Sequence, residues 1–232
     1  MSQASERATS NTFVVFILIL WFLLVAGGSA LGVFQGHPSR PPLILGTAVI
    51  LPVLVFVSAW SGSARFRRFI LSMAIRATAF AQIGRILGGV FLILYAQGVL
   101  PGIFAFPAGL GDVAIGLTAP LIAWMLVART RLRLGILALW NVLGLLDLIM
   151  AVSLGILTSQ STLGILAGAT TSAAVVTFPL SLIPTFLVPF YLMLHLIALG
   201  QVRRHWASSH GAAPDGAVNE VAAPDLLPQT HV

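Results

Sequence analysis

Apolar runs of about twenty residues recur along this chain, separated by short connections rich in Pro, Gly, Ser or Thr or by knots of arginines. A run of that length is what an α-helix needs to cross the roughly 30 Å hydrocarbon layer of a bilayer. Inside that layer only helices and closed barrels satisfy the backbone internally. Residues 13–34, 43–60, 79–100, 112–128, 134–157 and 178–199 each fit one crossing. The expected fold is all-α: a polytopic membrane helix bundle of about six transmembrane helices, forming one membrane domain over 13–201. Charged residues make up only 8% of the chain, so the loops are too short and too sparse to hold a separate catalytic domain.

Orientation follows from the arginines. Arg65, Arg67 and Arg68, then Arg129, Arg131 and Arg133, then Arg203 and Arg204 fall between or after the apolar runs. Under a six-helix count every cluster lies on one side, and cytoplasmic loops are the ones that collect basic residues. Both termini are then expected in the cytoplasm, with 1–12 as a short leading segment and 202–232 as a disordered tail rich in Ala, Pro, Gly and Asp. Only Arg40 lies on the outer side. The stretch 65–78 alternates arginines with Phe69, Ile70, Met73 and Ile75, which predicts an amphipathic helix on the inner membrane surface. Anionic lipid head groups are the expected partners of the clusters, and nucleic acid is not, because the charge is parcelled into loops. A homo-oligomer or a partner membrane protein is compatible with the sequence. The leading segment carries little positive charge, which argues against a cleaved signal peptide. All twelve basic residues are Arg and none is Lys, a usage that suggests a GC-rich bacterial genome and an inner (plasma) membrane location.

Several chemistries are closed by what the chain lacks. It has no Cys, which removes disulfides, thiolate metal ligands and a cysteine nucleophile. Without Lys there is no Schiff base. His195 is the one histidine inside a predicted span, and His37 falls in a loop, so paired axial haem ligands are missing. No HExxH, GxSxG, P-loop or dinucleotide-binding fingerprint occurs. No cofactor or metal is expected, and no catalytic residue is assigned.

What remains is a small set of polar side chains within apolar runs. Arg85 is the foremost, since a charge at the centre of a spanning helix costs about 2.5–3.5 kcal/mol on insertion scales and therefore faces a partner or a cavity. At 100° per residue Gln82, Arg85, Gly89 and Ala96 share one polar or small face. Counted from the outer helix ends, Arg85 and Asp147 differ in depth by about 7–8 Å at 1.5 Å per residue. Asp147 is the expected counter-ion. Asn141, about 120° around the same helix, and His195, at similar depth on the sixth span, complete the candidate substrate- or ion-binding set of Arg85, Asp147, Asn141, His195 and Gln82. Among the GxxxG spacings, only Gly84–Gly88 is informative, because it brackets Arg85.

Two connections are rich in helix breakers. Residues 103–111 read as an uncharged Pro- and Gly-containing loop, and Asp112 as the carboxylate that caps the fourth helix at its outer entrance, which puts it too far from Arg85 to pair. Residues 158–177 are too short to span, and their apolar centre, 163–169, is compatible with a re-entrant or interfacial piece. The leading functional expectation is a small carrier or permease-like protein with an intramembrane polar site. A non-catalytic scaffold or accessory subunit is the alternative, and a lipid- or quinone-handling membrane enzyme the third.

Overall fold

The computed structural model describes residues 3–38 and 40–210, and the side chains of 12–38 and 40–207. Among the described residues all regular structure is helical. The elements are α1 (Gln3–Ala30), α2 (Leu43–Gly62), a short α3 (Ala64–Leu71), α4 (Ile75–Ala96), α5 (Gly102–Met125), α6 (Arg131–Leu157) and α7 (183–210, its α-helical part running Val188–His210). Six of them, all but α3, are long and apolar enough to cross a membrane.

Local chemistry sets the boundaries. Ser63 caps α3, its Oγ accepting from the Phe66 N–H at 3.2 Å, and Thr130 caps α6 by accepting from the Arg133 N–H. Between α4 and α5, Gly98 takes the left-handed turn with φ +73°, a conformation that L side chains resist. Pro101 then stands immediately before α5.

Helices α4 to α7 form the core. α5 packs along α4 and α6, α6 packs on α7, and α7 also contacts α4 and α2. By contrast α1 and α2 bury few residues, and leucines, isoleucines and phenylalanines point outward along both. α1 meets the rest chiefly at the start of α7, where Trp21 and Phe22 pack on Phe186 and the Ser29 and Ser181 hydroxyls share a hydrogen bond.

The arginine clusters gather at one end of the bundle, here the basic end. Arg76 Nε donates to the Ala123 carbonyl at 3.0 Å, Arg133 to the Met125 carbonyl at 2.9 Å, and Gln201 to the Met73 carbonyl at 2.8 Å. These bonds tie the start of α4, the ends of α5 and α7 and the start of α6 together. At the far end, residues 158–177 fold back onto α6. The Leu166 N–H reaches the Leu157 carbonyl, and Ser172 Oγ donates to the Gly155 carbonyl at 2.6 Å.

α4 is not a uniform helix. Its middle, Ala81–Gly89, winds as a 3₁₀ helix between two α-helical ends. With three residues per turn, Gln82, Arg85 and Gly88 eclipse one another, and all three are buried. At about 2.0 Å per residue instead of 1.5 Å, nine residues reach about 18 Å where an α-helix would give about 13–14 Å. This overwinding lines up the polar face against α5 and sends Leu87 outward.

Four sequence-based boundaries are revised. The surface helix ends at Leu71 instead of 78, because Ser72 turns its hydroxyl back onto the Phe69 carbonyl and the chain breaks before α4 starts at Ile75. Residues 103–111 are the first turns of α5 and not a loop, since a proline near a helix start leaves few backbone groups unpaired. The sixth span begins at Ile183, with 178–181 forming turns ahead of it. The expected tail from 202 is helical to His210, and the remainder of that expectation, 211–232, lies outside the described residues.

The α4–α5 contact leaves no space for a side chain at Gly116, where a Cβ would stand 2.7 Å from the Ile86 backbone nitrogen. Gly116→Ala should therefore lose about 1–3 kcal/mol through overpacking. At Gly135, whose Cβ direction is empty, Ala should be neutral or stabilising. Thermal unfolding of the two variants in detergent checks the contrast.

Candidate functional site

The overwound segment of α4 delivers a guanidinium into the middle of the bundle. The Arg85 side chain is 0% exposed, and it is held by groups from three other helices. Nε donates to Asp112 Oδ1 on α5 at 2.7 Å. The Nη2 group donates to Asp147 Oδ2 on α6. The Nη1 group donates to the Gly144 carbonyl at 3.2 Å and to His195 Nε2 on α7 at 3.1 Å. An arginine is planar, permanently charged and able only to donate, so it suits four acceptors arranged around its edge.

That property fixes the polarity of everything attached to it. Because Arg85 cannot accept, His195 Nε2 must, and the imidazole proton then sits on Nδ1. Nδ1 in turn donates to Asn141 Oδ1 at 2.8 Å, and Asn141 Nδ2 donates to the Leu137 carbonyl at 2.8 Å. A doubly protonated His195 would place N–H against N–H, so the network holds a neutral imidazole. Trp140 packs edge-on against that ring, at 5.8 Å between centroids, and is itself tied to Thr118 Oγ1 by its indole N–H. One formal positive charge and two formal negative charges remain, a surplus of one negative charge in a buried site.

Missing side chains make the cluster possible. A Cβ at Gly88 would collide with Asp112, one at Gly111 with Asp147, and one at Gly144 with His195. Each partner of Arg85 thus lies across a glycine on a neighbouring helix. Gly84 makes the same room for the Tyr191 hydroxyl. The Gly84–Gly88 spacing works within the subunit, admitting polar side chains from α5 and α7.

Voids that share lining residues run from the cluster toward the far end. A small void beside Arg85 is bounded by Gly84, Gly88, Asp112, Leu187 and Tyr191. Through Asp112, Leu148, Ile183 and Val188 it adjoins a cavity of about 90 Å³ whose wall is otherwise almost entirely apolar. This in turn shares Leu45, Gly155, Ile156, Ser172 and Val176 with a vestibule of about 190 Å³ under the far-end loops. In the other direction a packed apolar cluster that includes Ile115, Ala119, Ile122, Leu126, Leu137 and Trp140 fills the bundle.

The structure brings together four of the expected residues: Arg85, Asp147, Asn141 and His195. Gln82 stands apart, donating weakly to the Tyr191 carbonyl at 3.5 Å, with its own Oε1 buried and unpartnered. Asp112 is the principal correction. It does not cap a helix at the outer entrance but lies well inside α5, on the guanidinium. The depth count failed because it started α5 ten residues late. The signal was available, since 103–127 contains no charge except Asp112 and is one uninterrupted span in length. Tyr191 and Gly111 escaped sequence reasoning, and so did the room that Gly88 and Gly144 make for Asp112 and His195, because these roles depend on which helices face one another. No group of three or more His, Asp or Glu among the described residues is placed to hold a metal ion.

Removing one side of a buried ion cluster strands the other. Arg85→Met, which leaves two carboxylates without a cation, should lose about 3–5 kcal/mol of stability. Asp112→Asn and Asp147→Asn should each lose less, about 1–3 kcal/mol, because the guanidinium keeps one carboxylate. The triple variant Arg85→Met, Asp112→Asn, Asp147→Asn should recover much of the loss. Unfolding midpoints of the four proteins in one detergent give the ordering.

No curated protein and no solved structure shows significant similarity to this chain. Residues 42–203 match a family profile, a segment that holds the whole Arg85 network and leaves α1 outside. The chain belongs to that family, which is described as a domain of unknown function (DUF8737).

Proposed function

We propose that this protein is a small proton-coupled carrier of a bacterial inner membrane, with both termini cytoplasmic and the Arg85 cluster as its ion-handling site. The observation that carries the reading is the position of Asp112: it belongs to the buried cluster and also floors a cavity leading to the far end. Two carboxylates on one guanidinium leave one negative charge unbalanced, and a single cation arriving through the cavity neutralises it. A proton is the smallest such cation. Substrate and proton competing for one surplus charge is a simple basis for exchange.

Irregular helices support the same reading. The 3₁₀ stretch of α4 and the π-helical turn Ile183–Leu187 of α7 both border the void beside Arg85. Such interruptions are common at functional sites, and helix segments around them can repack without breaking the bundle. With the packed apolar cluster toward the basic end, the arrangement corresponds to a carrier open to the outside and closed to the cytoplasm. The scaffold reading has one observation in its favour, the engagement of Arg85 by four acceptors, which is what a register-fixing ion cluster also requires.

Reconstitution into vesicles containing a pH dye separates the two. A carrier shows proton movement driven by a substrate gradient, reduced at least about tenfold in Asp147→Asn and in Asp112→Asn, a loss of about 1.4 kcal/mol or more in the rate-limiting step. A folded protein that moves no protons and co-purifies with a membrane partner supports the scaffold. Orientation has its own test, since the chain has no native Cys. Gly62 at the basic end and Gly168 at the far end have open space around them. Gly168→Cys should react with an impermeant thiol reagent in intact cells, and Gly62→Cys only after permeabilisation.

A further inference from the structure

The cavity that Asp112 floors selects by charge. Of its lining side chains only Asp112 and Ser172 are polar, and the Ser172 hydroxyl donates to the Gly155 carbonyl at 2.6 Å. No Arg or His lines this cavity or the vestibule beside it. An anion entering from the far end meets a carboxylate and no cationic side chain on these walls, so its burial is opposed. A cation meets the surplus negative charge of the cluster.

Asp112 keeps one oxygen for such a ligand. Arg85 Nε takes Oδ1 at 2.7 Å, while Oδ2 accepts no hydrogen bond among the described residues. Oδ2 lies over Gly88, in the wall of the void beside Arg85. The Asp112 side chain is 9% exposed, and this oxygen is not sealed off. The wall also sets the form of the cation. A primary ammonium carries three N–H donors, and burying it against one carboxylate in an apolar wall leaves some of them unpaired. Alkyl groups in place of those hydrogens remove that demand and match the aliphatic lining. Phe91 and Phe104 stand in the same wall, with ring centroids 5.1 Å apart, and aromatic rings attract alkylated ammonium groups.

We propose that this cavity takes a monovalent ammonium ion whose nitrogen is alkylated, tertiary or quaternary, in exchange for the proton of the cluster. The charged nitrogen sits against Asp112 Oδ2, and the alkyl groups lie among Phe91, Phe104 and the aliphatic wall. As a substrate class this rests on the carrier reading; as a binding site it stands on the cavity and Asp112 alone. Binding and proton release balance, since one cation replaces one proton on the same surplus charge.

The test is equilibrium dialysis of the purified full-length protein in detergent against butyltrimethylammonium, tetramethylammonium, heptylammonium and heptanoate, with Asp112→Asn giving the background partition. Butyltrimethylammonium should bind about tenfold or more tightly than heptylammonium, which has the same charge and carbon count, and than tetramethylammonium, which lacks the butyl chain. Heptanoate should not bind above background. Asp147→Asn should weaken binding by about tenfold or more although Asp147 lines neither cavity, because it too removes the surplus charge. Ala151 lies in the cavity wall, so Ala151→Leu should lose butyltrimethylammonium and keep tetramethylammonium. On the unaltered chain, a pH dye in weak buffer should report up to one proton released per cation bound, and affinity should fall by up to about tenfold per pH unit as the pH is lowered. That readout decides the matter even where a variant does not fold. Specific binding without proton counterflow in vesicles supports the ammonium site and removes the carrier reading. Equal binding to the parent and Asp112→Asn, a preference for heptylammonium, or binding with no proton release at any pH at which the protein is folded overturns the proposal. Protons exchanged by the cluster that no ammonium displaces overturn it as well, and leave the carrier reading intact.

Discussion

One buried guanidinium organises the bundle. Arg85 bonds to α5 through Asp112, to α6 through Asp147 and the Gly144 carbonyl, and to α7 through His195, so a single side chain on α4 touches every other core helix. An isolated arginine at this depth would be strongly unfavourable, and the attraction of two carboxylates offsets that only while the geometry holds. The other features follow from this demand. The 3₁₀ winding of α4 aims Arg85, Gln82 and Gly88 at the same face. Glycines stand where each of its side-chain partners crosses. Asn141 and the Leu137 carbonyl complete the chain of donors and acceptors that keeps His195 neutral and oriented.

The same cluster stands between two differently packed halves of the bundle. On one side an apolar cavity and a vestibule lead from Asp112 to the far-end loops; on the other, packed Ile, Leu and Trp side chains close the bundle toward the arginines. A surplus carboxylate at the boundary between these halves is what supports the proposed carrier reading. It sits within the segment shared with the family, whereas α1, attached through Trp21, Phe22 and Ser29, lies outside that segment.

The number of spanning helices could be read from the chain because hydrophobic length is a property of each segment alone. Arg85, Asp147, Asn141 and His195 could be singled out for the same reason: a polar group in an apolar run needs a partner wherever the run packs. Asp112 was misplaced because Pro107 and the flanking glycines were weighed as loop formers, although a helix whose neighbours satisfy it tolerates them. The 3₁₀ winding of α4 and the matching of glycines 88, 111 and 144 to three partner side chains depend on pairwise helix contacts. No local pattern encodes those, since a glycine looks the same in sequence whether it faces a carboxylate or open space, as Gly135 does.

The most direct measurement is infrared spectroscopy of the protein in lipid as the pH is stepped, with Asp112→Asn and Asp147→Asn variants assigning the carboxyl bands. If the cluster is an ion-handling site, one carboxyl proton per chain should come on and off across the working pH range. The corresponding C=O band should vanish or shift in both variants. Two carboxylates that stay ionised at every pH at which the bundle remains folded would contradict this account and leave Arg85 as a helix clamp.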